Sequence, residues 1–577
     1  MPYITSNSFR IALSIGLALM FLLAVACGSP AATSETAPPA AGSAPDATAP
    51  AAAIPQQAVA TATPVQPAES SSPTQQTAEP AAATRVDRPT LTAGVIWLDS
   101  PLDPVESGWV ANQSGMSENL FRLSATTLSP EPWLATAATQ VDPLTWEIEL
   151  RSDVNFHNGS VMDAQAVKAS LERTIRLSPA SAETLTIDTV TVHGEHTIII
   201  TTTEPQPTLP GLLTSPAVAI TDATAADAAG EGNFIAAGAL TGPYVPTEYI
   251  QKERLISVAN DNYWGGAPPL AGIEHIAIPD TNSRELALQA GDVDVAINIS
   301  PEGAQTINAQ PGLHSRTAGI GTSVVMWWVN FERGTLADPL VRRAVDQAID
   351  RESIAGLVAP EGTGSYAELL LPEALVSCPG VNAPGYDPGQ ARALLAEAGY
   401  ADTDGDGIVD KDGQPLEIVI GGYPQRFQLP IMAEAAQAML ADVGIKAEVI
   451  ITEWSVVKDP AWDLFGWYNS VVEAGDPVLN VSKYAGLRAD ASGSGANNYG
   501  HYDNSGLADI VARAGSLPDL EDRKQIACDA LAVVTEESAF LPVAHVYMVY
   551  GVSERVTGFE PHPSSLYFFD HRIGLSK

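Results

Sequence analysis

Basic residues are scarce in this chain. Its 577 residues hold 29 Lys and Arg against 68 Asp and Glu, a formal net charge of −39. Nucleic acid is therefore excluded as a partner, because phosphates need cations to neutralise them. The acidity suits a soluble body outside the cell and attracts cations, but a generally acidic proteome gives the same balance, so it chooses no ligand. There are only three cysteines. Signature motifs of catalysis are missing as well. No Walker A loop, Gly-x-Ser-x-Gly elbow, His-Glu-x-x-His pair or Cys-x-x-Cys occurs. A secreted hydrolase stays as the rival class, without a motif to support it.

Long apolar runs are also absent, except at the start. Arg10 is the only charge before an apolar run over residues 11–26, which ends in Ala24-Val25-Ala26-Cys27-Gly28. One positive charge, a short apolar stretch and small residues before a cut site read as a secretory signal. The run is shorter than the roughly 20 residues a membrane-spanning helix needs. Cys27 behind small residues resembles a bacterial lipobox, with Ala24 where Leu is usual. That resemblance implies a signal peptide over 1–27, lipidation of Cys27 and an anchor in the membrane. Residues 28–85 are rich in Ala, Pro, Thr and Ser and hold no Lys, and Arg only at their last position. Such a stretch cannot bury enough apolar surface to offset the entropy of ordering, so it reads as a disordered linker. If Cys27 is lipidated, Cys378 and Cys528 remain as an even pair, and geometry decides whether they bond.

The remaining body, roughly 490 residues, is long enough for two or three lobes. Residues 91–97 read as a first strand. Thr145-Trp146-Glu147-Ile148-Glu149-Leu150 alternates with period two, the mark of a half-buried strand. Residues 187–203 give two strands around His193-Gly194-Glu195-His196. Asp163, Asp338-Pro339 and Asp387-Pro388 are helix starts, each followed by an apolar stripe. Strands and helices interleave without a repeat, which predicts an α/β architecture with mixed sheets.

Motifs then accumulate in one order. They are Pro132-Trp133-Leu134-Ala135; Leu150-Arg151 with Val154-Asn155-Phe156-His157-Asn158-Gly159; Thr241-Gly242-Pro243-Tyr244; Asn262-Tyr263-Trp264-Gly265-Gly266; Gly291-Asp292-Val293-Asp294; Pro339-Leu340-Val341-Arg342-Arg343-Ala344; and Tyr386-Asp387-Pro388 through Gly399-Tyr400. In this order the chain resembles the family 5 extracytoplasmic solute-binding proteins, the peptide- and nickel-type receptors of ABC importers. The similarity runs from about Leu91 to the C-terminus.

The resemblance implies a two-lobed, type II periplasmic-binding-protein fold with an extra subdomain in the first lobe. Lobe one is expected over 86–327, lobe two over 328–543, and a return to lobe one over 544–577. Crossings are expected at 326–330 and 543–550. The resemblance also implies a hinge that closes on a small-molecule or peptide solute, delivery to ABC permease subunits, and action as a monomer. The expected solute is an oligopeptide or dipeptide, with nickel or a metal chelate as the alternative. Counting back from Asp476-Pro477, Glu473 holds the family's acidic position and would face a peptide amine. Trp467, Tyr468, Trp328 and Tyr366 are further candidates for the cleft. No His pair at ligand spacing supports nickel, and a lone His is more often part of the scaffold.

One segment points to a cation independently of the solute. Asp402, Asp404, Asp406 and Asp410 open like a calcium loop, with Gly407 at the sharp turn. The twelfth position, where a bidentate Glu closes such loops, is Gly413. A structural calcium is the only cofactor the sequence suggests, and none is required for binding.

Overall fold

The computed structural model describes residues 88–576 except 231, 459–460 and 486–497. Two mixed sheets organise it. The first has seven strands in the order Leu313–Thr317, Val549–Ser553, Val295–Ile297, Thr90–Val95, Gly272–Ala277, Arg254–Ala259 and Tyr244–Ile250. Thr90–Val95 sits near its centre and runs parallel to both neighbours. The second has six strands, Gly364–Tyr366, Phe540–Val546, Ser323–Val329, Leu464–Ser470, Glu417–Gly422 and Lys446–Ile451. Here Glu417–Gly422 is parallel to both neighbours. Each sheet is the centre of one lobe.

A separate four-stranded antiparallel sheet forms the extra subdomain of lobe one. Its order is Ala135–Asp142, Thr145–Leu150, Thr197–Thr202 and Ile187–Val192. The period-two pattern of Thr145–Leu150 is obeyed: Trp146, Ile148 and Leu150 turn inward and are buried. The helix Ala164–Leu177 packs beside them and starts on Asp163, whose carboxylate accepts the Ala166 amide at 2.8 Å. Asp338 and Asp387 cap Pro339–Ala348 and Pro388–Glu397 in the same way, satisfying amides that have no partner inside the helix.

The crossings between lobes differ from the expected positions. Residues 326–330 do not cross; Ser323–Val329 is already a central strand of the second sheet, so the chain crosses before Ser323 and the 327/328 boundary falls inside that strand. All seven of its residues are buried, which removes the alternation that would have placed it. The return falls at residues 547–548, between Phe540–Val546 in the second sheet and Val549–Ser553 in the first. Position 544 therefore still belongs to lobe two.

Two braces tie the lobes internally. Cys378 and Cys528 are disulfide-bonded, with Cα atoms 5.3 Å apart, joining the long helix Leu520–Glu536 to a loop of lobe two. In lobe one, the buried carboxylate of Glu118 accepts the Trp133 indole at 2.8 Å, the Tyr263 hydroxyl at 2.7 Å and the Trp264 indole at 3.2 Å. Burial holds Glu118 above the usual carboxylate range against the pull of those donors. Tyr263 and Trp264 thus join the subdomain to the main sheet through one acidic group. Cys27, where lipidation is expected, lies outside the described residues.

Candidate functional site: a cavity between the lobes

Both sheets turn the carboxyl ends of their parallel strands toward one cavity, where open α/β sheets commonly place ligands. The cavity measures about 310 Å³, at the small end of the roughly 300–1,000 Å³ typical of ligand pockets. Lobe one contributes Trp97 and Asp99, just past the strand Thr90–Val95, and Trp109. Lobe two contributes Tyr423 and Arg426 beyond Glu417–Gly422, and Trp467 and Tyr468 from Leu464–Ser470. Met548, at the return crossing, closes part of the wall.

Arg426 dominates the electrostatics. Its side chain is buried, with the guanidinium 3.8 Å from the Tyr468 ring and 4.7 Å from the Trp97 ring. Stacking between two aromatic faces partly compensates the charge for lost water. Among the described residues, Nε and Nη1 have no hydrogen-bond partner and no carboxylate pairs with this side chain. A second guanidinium lies behind the wall. Arg284 is fully buried and donates to the carbonyls of Ile297 and Ile278 at 2.6 Å and of Asn298 at 2.7 Å. Burial first, then the neighbouring Arg426 charge, press Arg284 down to about 10. The cavity is therefore a positive spot in a strongly acidic protein.

Three more groups complete its chemistry. The Trp467 indole N–H and the Tyr468 hydroxyl are buried and unbonded among the described residues. Trp467 is held among the rings of Tyr423 at 5.5 Å, Tyr499 at 5.5 Å and Trp454 at 6.5 Å. Asp99 is exposed at the opening, with no ion pair among the described residues. Buried donors left unpaired are costly in an apolar site.

The sequence candidates separate in space. Trp467 and Tyr468 line the cavity. Trp328 does not: it is fully buried in lobe two against Phe540 and Tyr484. Its neighbour Trp327 is equally buried, because this sheet is covered on both faces. Tyr366 stands exposed on an edge strand away from the lining. Glu473 is also outside the lining; its carboxylate is ion-paired with Lys483, one helix further on. Sequence reading missed Arg426, Trp97 and Asp99. The available signal was position: Arg426 follows a strand ending in Gly421-Gly422 and precedes the helix Gln428–Asp442.

In the acidic loop, one carboxylate oxygen from each of Asp402, Asp404 and Asp406 lies within 4.8 Å of the others, all three side chains being exposed. These carboxylates accept the loop's own amides, from Gly405 at 2.7 Å to Gly407 at 3.2 Å. Asp410 is instead bonded to the Thr403 hydroxyl at 2.6 Å.

Comparisons with known proteins agree with this architecture. Residues 129–503 match the family model described as bacterial extracellular solute-binding proteins, family 5 middle. The nickel-binding protein NikA of Staphylococcus aureus is 26% identical over 472 residues, covering 80% of this chain and 90% of that protein. The oligopeptide-binding protein AppA of Bacillus subtilis is 28% identical over 340 residues, 56% of this chain and 59% of that one. A crystal structure of the S. aureus NikA in complex with Ni(L-His)2 superposes with a TM-score of 0.74 at 23% identity, over 85% of this chain and 100% of that one. With its two sheets, inserted subdomain and interlobe cavity, the chain belongs to family 5 of the bacterial extracellular solute-binding proteins, the binding receptors of ABC importers, and is not an enzyme.

Proposed function

We propose that this receptor captures a small peptide, of two or three residues, by its carboxylate. Arg426 carries the reading: a buried guanidinium with two nitrogens unbonded among the described residues suits a carboxylate, which it can hold by a charge-assisted hydrogen bond. Trp467 and Tyr468 add donors beside it. Asp99, at the opening, suits the amine at the other end of a zwitterion. The volume of about 310 Å³ favours a short solute over a long peptide. Glu473 is already neutralised by Lys483, so the amine partner moves to Asp99.

A second reading is a metal–carboxylate chelate. Among the described residues no His or Cys lines the cavity, so these offer a metal no soft ligand; Arg426 would hold the chelator's carboxylate. Nickel-binding relatives such as NikA of S. aureus favour this alternative. Calorimetry with alanyl-phenylalanine, its C-terminal amide and nickel–L-histidine decides between them. The peptide reading expects binding of the free dipeptide and a loss of about a hundredfold for the amide, the scale of a charged hydrogen bond left unmade. Binding of nickel–histidine alone establishes the chelate.

Delivery follows from hinge closure: the solute stabilises the closed form, which the permease recognises. The body works as a monomer, tethered by acylated Cys27 through the linker 28–85. Mass spectrometry of the mature N-terminus tests the tether; an unmodified Cys27 contradicts it.

A further inference from the structure

Away from the cavity, the two lobes exchange apolar residues. Leu128, in the turn between the lobe-one strands Phe121–Leu123 and Pro130–Pro132, is 1% exposed and joins the apolar cluster of lobe two. Ala474, in a lobe-two turn, joins the cluster of the lobe-one subdomain, with Leu209, Leu212 and Leu213. Both residues hold positive φ, 57° for Leu128 and 58° for Ala474. A side chain there is strained, and such strain persists only where surrounding contacts impose it.

Each turn also meets a glycine of the opposite lobe. A methyl group on Gly211 would collide with the Ala474 carbonyl oxygen, and the three atoms nearest to it all belong to Ala474. One on Gly475 would collide with the Leu128 carbonyl oxygen. Backbone therefore touches backbone across the interface at two points. None of Leu128, Gly211, Ala474 and Gly475 lines the cavity.

We propose that this reciprocal pair is a latch for the closed form, so that Leu128, Gly211 and Ala474 set solute affinity without touching solute. The contacts join opposite lobes, so a change in their packing shifts the balance between open and closed forms. Their energy adds to that of any solute in the cavity and determines how much of it closure needs. The inference rests on the hinged-receptor reading of the fold, but not on the identity of the solute.

Gly211→Ala is the first variant, since the three atoms nearest its added methyl all belong to the other lobe. Leu128→Ala is the second, removing the inserted side chain. Donor and acceptor dyes go on Leu177→Cys in lobe one and Leu357→Cys in lobe two, both exposed, in a Cys27→Ser background that keeps the Cys378–Cys528 disulfide. Single-molecule energy transfer then counts closed and open molecules while the full chain is titrated with alanyl-phenylalanine, nickel–L-histidine and a small-molecule extract of bacterial cells. Half-closure should need at least tenfold more of the active probe in Gly211→Ala and Leu128→Ala, with the thermal midpoint of the probe-free Gly211→Ala chain unchanged. The exposed Leu286→Ala serves as control and should close like the parent. Equal half-closure in parent and Gly211→Ala overturns the latch alone. A parent that keeps one interlobe distance with every probe overturns the hinged reading and the latch with it.

Discussion

The guanidinium of Arg426 lies 3.8 Å from the ring of Tyr468, and both side chains carry buried polar atoms that bond to nothing among the described residues. In a receptor this pairing has a sign. It disfavours closure on nothing, because burying a charge that is only partly compensated is costly, and favours closure on an acceptor.

Arg426→Met should therefore separate binding from stability. Carboxylate-dependent affinity should fall by about a hundredfold or more, the usual cost of removing one member of a buried charged pair. The probe-free thermal midpoint should stay level or rise, since an unpaired charge is replaced by an apolar chain of similar length. Calorimetry and scanning fluorimetry read the two effects. A fall in both would make Arg426 a scaffold residue.

Tyr468→Phe removes one hydroxyl and keeps the ring over Arg426. Affinity should fall by roughly three- to tenfold, the worth of one ordinary hydrogen bond, with little change in melting. Tyr468→Leu also removes the aromatic face and should cost more. Equal effects of the two changes would show that the ring contributes nothing.

The Cys378–Cys528 bond spans 150 residues of sequence. Replacing both cysteines with serine should lower unfolding stability by about 2–5 kcal/mol. Solute affinity should be unaffected, because neither residue lines the cavity. Denaturant unfolding with and without reductant measures this.

Acid should weaken the fold. Burial presses His157, His275, His545 and His562 down to about 4. The unfolded chain, with histidines near 6.5, binds more protons than the folded one between those values. Stability from these groups is therefore present above about pH 6.5 and is lost as pH falls toward 4. Glu118 and Asp346, raised by burial, act in the opposite direction: their folded forms hold protons longer and offset part of the loss. His275→Leu should flatten the profile, improving stability at pH 5 more than at pH 8. If the variant's urea midpoints at the two pH values differ by as much as the parent's, this assignment is contradicted.

Local structure was legible where it depends on neighbours in the chain. Asp163, Asp338 and Asp387 were read as helix starts because an Asp before an apolar stripe has amides to cap, and each does so. The strand Thr145–Leu150 declared itself by alternation. The lobe crossing did not, because a strand buried on both faces has no pattern to show which sheet it joins. Site residues were harder for the same kind of reason. Glu473 looked available until the fold supplied Lys483. Trp328 and Trp467 look alike in sequence; one is core and the other lines the cavity. Arg426 acquires its meaning only from Trp97 and Tyr468, far away in sequence on two different lobes.

The central claim is that the cavity recognises a carboxylate through Arg426. Native mass spectrometry of the chain purified from its bacterial host, followed by denaturing release, tests it most directly when the parent and Arg426→Met are run side by side. The account predicts a released small molecule bearing a carboxylate from the parent, and none from the variant. The same neutral or cationic solute released from both would contradict it.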